Sequence, residues 1–403
     1  MITYRHLLAS LAAATALMAC TREPEMVSSG IDDYYNLPRL QKLRVTTAYT
    51  ADSYRWTERR ADGTDSLLST DRSLLYLSAE EGEHHITFTL DDGARGYTKT
   101  FLIRVVHEEV EYSDGVAHVY DYRPAPGQFV GTTPLYEQGD TEEKMRQKVE
   151  DCFATGSLVS LGAWGGYVTF GFDHTLINTP SQRDLYIKGN AFYSDVAQYG
   201  QRRGGSCEPG IVMVSLDTNM NGLPDDEWYE LAGSEYHSAS TLHDYALTYR
   251  HPDSTPHTAV PDGSGRVTDT QYIAWQDNRG ATGYVERNVF HSQSYWPQWI
   301  ADSTLTYTGS CLAPNAVDES GTGDNYILYA YPWGYADNHP NDSTTLCSFD
   351  LDWAVDSNGQ PVHLPGADFI RVMTGVNQCC GWLGETSTEI SGAQDLYIKD
   401  REK

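Results

Sequence analysis

Between the apolar runs "IVMVSL" and "YELAG" lies Asp217–Trp228, "DTNMNGLPDDEW", where oxygen-bearing side chains recur at alternate positions. Asp217, Asn219 and Asn221 fall at positions 1, 3 and 5 of an EF-hand-like register. Gly222 gives the sharp turn at 6, the Leu223 carbonyl stands at 7 and Asp225 at 9. Hard oxygen donors at such spacing wrap a calcium ion, because each two-residue step returns the side chain to the same side. Position 12, where a bidentate glutamate belongs, is Trp228, while Asp226 and Glu227 come early. The flanking runs alternate like strands, so a helix–loop–helix hand is excluded. What remains is a calcium loop with the ligand set Asp217, Asn219, Asn221, Leu223, Asp225, Asp226 and Glu227, or a hairpin whose Asn221-Gly222 pair makes the turn. Two further acidic loops, "NAVDESGTGDN" with Asp318, Glu319 and Asp324, and "YADNHPND" with Asp337, Asn338 and His339, have no recognisable register and read as polar loops ahead of metal sites.

Catalytic patterns are missing. There is no nucleophile elbow, no H-E-x-x-H, no phosphate loop and no dinucleotide fingerprint, so no redox or nucleotide cofactor is expected. His84 and His85 lie in an alternating run that points their rings to opposite faces. A pair of carboxylates is enough for glycoside hydrolysis, but among 56 acidic residues some pair is inevitable and carries no weight. The expectation is a binding protein, not an enzyme.

Aromatic residues give the stronger indication. Eight of nine tryptophans follow Ser160, several in Gly- and Pro-rich surroundings: "GAWGGY", "SYWPQWI", "YPWGYADNHP", "CCGWLGE". Rings carried on loops offer an apolar platform with a polar tip, suited to a sugar face or a corrin edge. Trp164, Tyr167, Trp275, Trp296, Trp299, Trp333, Tyr335 and Trp382 are the expected ligand-binding set, whereas Trp228 and Trp353 sit in apolar runs and read as core.

These loops need a β framework. Residues 37–111 show short alternating runs, Ile86-Phe88-Leu90 and Phe101-Ile103-Val105, with Trp56 placed like the core tryptophan of an immunoglobulin-like sandwich. From 112 to 403 a single helix is expected in "GDTEEKMRQKVEDCFATG", with Asp140 as N-cap, Met145, Val149 and Phe153 on one face, and Gly156 as the stop. The rest reads as strands and turns, rich in tyrosine, which predicts an all-β chain ending in a large jelly-roll-like sandwich.

The start, "MITYRHLLASLAAATALMACTREPE", has a basic beginning, a short apolar core and Leu17-Met18-Ala19-Cys20. Residues 1–19 read as a secretory signal cut before Cys20, and the four-residue stretch resembles the lipobox of bacterial lipoproteins. Acyl chains on Cys20 would anchor the protein through roughly 0.8 kcal/mol per buried methylene. Residues 20–36 form a tether. A net charge of -28 argues against a nucleic-acid partner, since phosphate contacts need clustered Lys and Arg. Six cysteines besides Cys20 permit disulfides whose pairing the sequence leaves open.

The pattern "YRW...L...GEHHITFTLDDG...KTFLIRVV" is similar to PKD-like domains, which generally act as spacers. Three later stretches, "SLGAWGGYVTFGFDHTLINTPSQRDLYIKGNAF", "EPGIVMVSLDTNMNGLPDDEWYELAGSEY" and "FDLDWAVDSNGQPVHLPGADFIRVMTGVNQCCGWLGETSTEISGAQDL", resemble surface lipoproteins of Bacteroidota that carry a PKD-like domain ahead of a β-sandwich. The resemblance implies a lipid-anchored protein of the outer membrane, facing the cell exterior beside a TonB-dependent transporter. It implies capture of a small ligand, with vitamin B12 or another corrinoid expected first and a glycan second.

Overall fold

The computed structural model describes residues 28–93, 96–194, 202–252 and 257–401. The expected signal, Cys20 and the first part of the tether lie outside the described residues. The chain is all-β with one long helix, as its alternating runs predict.

In the first region, five strands lie in the order Tyr34–Pro38, Gly96–Val106, Gly82–Asp91, Ser53–Arg59, Asp65–Ser69, and a smaller sheet pairs Leu43–Thr46 with Ser73–Tyr76. Alternation puts Ile86, Phe88, Leu90, Phe101, Ile103 and Val105 on one face, and Val45, Leu74 and Tyr76 of the small sheet join the same core. Trp56 sits at its centre, 4.3 Å from Phe88 between ring centroids. Its indole N–H, which burial would otherwise strand, donates to the Asp71 carbonyl at 2.8 Å. The first strand pairs parallel to Gly96–Val106 and begins at Tyr34, inside the stretch expected to be tether.

The second region shares one core among several sheets. A six-stranded antiparallel sheet runs Ala354–Val355, Tyr229–Leu231, Gly210–Ser215, Phe369–Thr374, Tyr167–Gly171, His118–Arg123. A four-stranded one runs Ser348–Phe349, Leu185–Gly189, Glu389–Asp395, Val159–Ser160. Another runs Thr282–Asn288, Val267–Asp277, Leu242–Arg250, Thr304–Cys311.

The helix spans Glu142–Thr155 with Met145, Val149 and Phe153 buried and Gly156 left-handed at its end. Its N-cap is Thr141, whose hydroxyl accepts from Lys144 N at 3.2 Å. Asp140, the expected cap, instead accepts from Glu137 N at 2.8 Å and Lys148 Nζ at 2.6 Å. A second short helix, Leu396–Arg401, follows the last strand.

Chain crossings in the second region are tight. Ala125 N donates to the Leu161 carbonyl at 3.0 Å, and Gly166 lies directly against that bond: a Cβ there would stand 1.9 Å from the Leu161 oxygen and 2.2 Å from Ala125 N. The two regions also touch. Lys42 Nζ reaches Asp368 Oδ2 at 2.6 Å and the Asp217 carbonyl at 3.1 Å, and Arg44 Nη1 reaches the Thr218 carbonyl at 2.6 Å. All six described cysteines are free thiols, so no disulfide supports these sheets. No helix among the described residues is long and apolar enough to cross a membrane.

Candidate functional site

Half of the expected aromatic set belongs to the core. Trp164, Trp296, Trp299 and Tyr335 are buried. Trp164 donates from Nε1 to the Ser310 carbonyl at 3.3 Å, Trp299 stacks on Tyr122 with centroids 5.8 Å apart, and Trp296 meets His251 edge-on. The expectation of exposed rings fails here because "SYWPQWI" is a loop folded inward, where large apolar rings gain most by leaving water. Tyr167 is half-buried, donates to Asp121 at 2.7 Å and carries Arg371 over its ring, on whose guanidinium Trp228 also lies. Trp275 is half-buried over Gly283, which leaves room for its indole. Trp333 is 38 % exposed but packs against Trp353 at 4.7 Å.

Trp382 differs. It forms part of the wall of a cavity of about 320 Å³, with Phe129, Phe290 and Leu328 as apolar wall and Gln128, Asn190, Asn288, Glu208, Glu385 and Glu389 as polar lining. Trp382 meets Phe290 at 5.9 Å, and Arg266 lies 5.4 Å over its ring. Arg266 is paired in turn with Asp324 of the acidic loop 315–325, whose Asp318 is satisfied within the loop by Ser320 and Gly323.

The floor is built by hydrogen bonds that leave little freedom. Gln128 N donates to Glu385 Oε1 at 2.6 Å, its Nε2 donates to the Leu383 carbonyl at 2.6 Å, and its Oε1 accepts from Asn288 at 2.7 Å. Glu385 is 6 % exposed, and its second oxygen has no partner. Burial pushes its carboxyl up to about 8.

Beside it, one carboxylate oxygen each of Glu208, Asp337 and Glu389 lie within 4.8 Å of one another, Asp337 and Glu389 buried and Glu208 partly exposed. Glu208 and Glu389 line the cavity, and Asp337 stands behind them in a left-handed backbone conformation at φ 53°. Burial first, and then the neighbouring negative charges, drive Glu208 and Asp337 well above the carboxylate range, and burial holds Glu389 at about 7. The polar loop expected at "YADNHPND" is turned inward: Asp337 is 3 % exposed and takes three backbone N–H groups.

Sequence reasoning missed this group because its members come from three distant segments. One local sign existed: Glu385 and Glu389 stand four apart in "GETSTEI", which places them on one face of an extended chain amid hydroxyl donors.

The Asp217 loop lies elsewhere, against the first region, and shares no lining residue with the Trp382 cavity. Asp217 accepts from Asn221 N at 3.1 Å and Gly222 N at 3.0 Å. The amides of Asn219 and Asn221 both reach Asp225, at 3.1 and 3.0 Å. Four of the seven expected ligands thus bond to one another through their side chains. Leu223 lies in the same turn, but its carbonyl already accepts from Asp225 N at 2.9 Å; Asp226 is bound by the Thr218 hydroxyl across the loop, and Glu227 turns away to Tyr229 at 3.0 Å.

No protein-family model matches the chain, and no curated protein does. Among solved structures, the chain is similar to a SusE-like protein, BT2857, at 7 % identity, covering 89 % of this chain and 95 % of that one, with a TM-score of 0.20. At that score the likeness establishes neither fold nor site, both of which rest on the geometry above.

Proposed function

We propose that this chain is a surface-anchored lipoprotein that captures a sugar unit in the Trp382 cavity and holds it for an outer-membrane transporter, with no bond broken. One observation carries the reading: an aromatic wall faces a floor of fixed carboxylate and amide groups. Apolar faces of a sugar ring stack on indole and phenyl rings, and its hydroxyls need paired donors and acceptors of the kind Gln128, Asn190, Asn288 and Glu385 present. The volume suits a single sugar unit: about 320 Å³ is at the lower end of small-molecule pockets, which span roughly 300–1,000 Å³.

A glycan array probed with purified protein tests this, followed by titration of the best hit. Micromolar or tighter binding with the glycan recovered intact is the expected result. Retention of cyanocobalamin colour after desalting, with no glycan bound, would restore the corrinoid; shortened glycan products would mark hydrolysis.

Anchoring is a separate part of the reading. Radiolabelled palmitate fed to producing cells should enter the chain and be absent from Cys20→Ala; equal labelling of both would remove the anchor.

We also propose that the Asp217 loop binds calcium through Asp217, Asn219, Asn221 and Asp225, the four residues that share its turn. Calcium should raise the melting temperature by a few degrees, and Asp217→Ala should remove that part of the EDTA response which belongs to the loop. A variant whose EDTA response equals that of the parent leaves only a hairpin.

A further inference from the structure

The two regions meet beside one buried histidine. His174 Nδ1 stands 2.7 Å from Asp173 Oδ1, its Nε2 stands 2.6 Å from Asp395 Oδ2, and the ring has no exposure to water. Ionised carboxylates only accept hydrogen bonds, so a ring that satisfies both must donate from both nitrogens. A neutral imidazole has one N–H and serves one partner; the doubly protonated ring serves two.

The carboxylates are fixed for this task. Asp395 is fully buried, and its Oδ1 accepts from Tyr397 N at 2.6 Å and Ile398 N at 3.2 Å at the start of the helix Leu396–Arg401. Asp173 Oδ2 accepts from Ser113 N at 3.1 Å. Among the described residues no lysine or arginine pairs with either carboxylate, so the cation they share is His174. Of an imidazole and a carboxyl in contact, the imidazole is the stronger base, which puts the extra proton on the ring. Burial pulls the ring's pKa down, but the hydrogen bonds and charges of Asp395 and Asp173 together outweigh it and hold it above its ordinary value.

Elements of both regions converge here. Tyr112, where the first region runs into the second, lays its ring 4.9 Å from His174, and its hydroxyl accepts from Gln41 Nε2 at 3.4 Å. Ile398 of the last helix packs with Leu40 and Ile177, and the Tyr397 hydroxyl donates to the Ala79 carbonyl at 3.3 Å. The ionisable groups around the ring are therefore Asp173 from its own loop, Asp395 and Tyr397 from the last strand and helix, and Tyr112 and Asp114 from the connection. The crevice in front of it adds Lys42, Asp217, Asp368 and Tyr120, of which Lys42 is already paired with Asp217 and Asp368.

We propose that His174 is a proton-dependent clasp at the joint of the two regions: the doubly protonated ring ties the connection at Ser113 to the last strand through Asp173 and Asp395, and loss of one proton frees the connection. The two carboxylates differ in what they can do when the ring becomes neutral. Asp395 has no water to turn to, so the remaining N–H stays with it, since an unpaired buried carboxylate is the costlier outcome. Asp173, with its side chain 36 % exposed, turns out to solvent and releases Ser113 N. The direction in pH follows from the raised value: the clasp is complete below the ordinary imidazole value of about 6.5 and is lost as the pH climbs through the ring's own, higher pKa.

The test is a pH series on the purified chain with no sugar present. Long-range proton–nitrogen spectra at about pH 7.5, above the ordinary imidazole value, should show one histidine protonated on both nitrogens and absent from His174→Gln. Amide exchange, corrected for its intrinsic pH dependence, should lose at least about tenfold protection at residues 112–115 as the pH is raised further, while the strand Phe369–Thr374 is unchanged. In His174→Gln the protection of 112–115 should not vary with pH. If His174→Gln does not fold, Asp173→Asn, a change at a side chain that reaches water, carries the comparison: its ring should titrate at lower pH, with 112–115 already open where the parent is closed. A neutral His174 at that starting pH would overturn the clasp, as would protection at 112–115 that is flat with pH in the parent, or a loss that either variant shares with it. None of these readouts involves the Trp382 cavity, so failure here and failure of the sugar reading are separate results.

Discussion

Gly166→Ala should leave the second region unable to fold at 37 °C, seen as loss of its cooperative melting transition. The added Cβ meets two backbone atoms, the Leu161 oxygen at 1.9 Å and Ala125 N at 2.2 Å, that already hydrogen-bond to each other. Neither can rotate aside like a side chain, so the cost exceeds about 4 kcal/mol, the range of exceptional single substitutions. Gly222→Ala makes the contrast. That glycine has φ 74° but nothing within 4 Å of the missing Cβ, so only backbone strain of about 1 kcal/mol is expected and the protein should stay folded. Equal melting of Gly166→Ala and the parent would refute the crossing as drawn.

Trp382→Ala should weaken glycan binding at least tenfold, about 1.4 kcal/mol, while the melting temperature moves by no more than a few degrees. The indole is half-exposed and its neighbour Phe290 is 58 % exposed, so little core is lost when it goes. What is lost is the flat apolar wall on which a sugar ring would lie. Trp333→Ala serves as the control, since its ring is also exposed but packs on Trp353 outside the cavity. If both substitutions weaken binding equally, or neither does, the cavity is not the binding site.

The fold was readable where local rules and burial agree. Alternation in Ile86-Phe88-Leu90 and Phe101-Ile103-Val105 marks strands because each run places its apolar side chains on one face, and the structure buries them together. The helix was readable from Met145, Val149 and Phe153, but its cap was not: Asp140 and Thr141 are both good caps by type, and the choice fell to Lys148, which reaches back for Asp140.

Aromatic residues were the least legible. Glycine and proline around Trp296 and Trp299 mark a loop correctly, but nothing local says whether a loop faces water or closes over a core. Trp382, in a similar "CCGWLGE" context, goes the other way because Gln128 and Glu385 pin its turn at the cavity edge. The carboxylates were illegible for another reason. Glu208, Asp337 and Glu389 meet only when separate strands pair, and each alone resembles any of the other acidic residues of an acidic chain.

The grip of Lys42 and Arg44 on the base of the Asp217 loop bears on reach. If the proposed anchor and loop ion hold, the ion would stiffen the Asp217 loop where Lys42 and Arg44 grip it, beside the apolar contact of Leu40 with Ile177 and Ile398, and would steady the joint through which the cavity is carried.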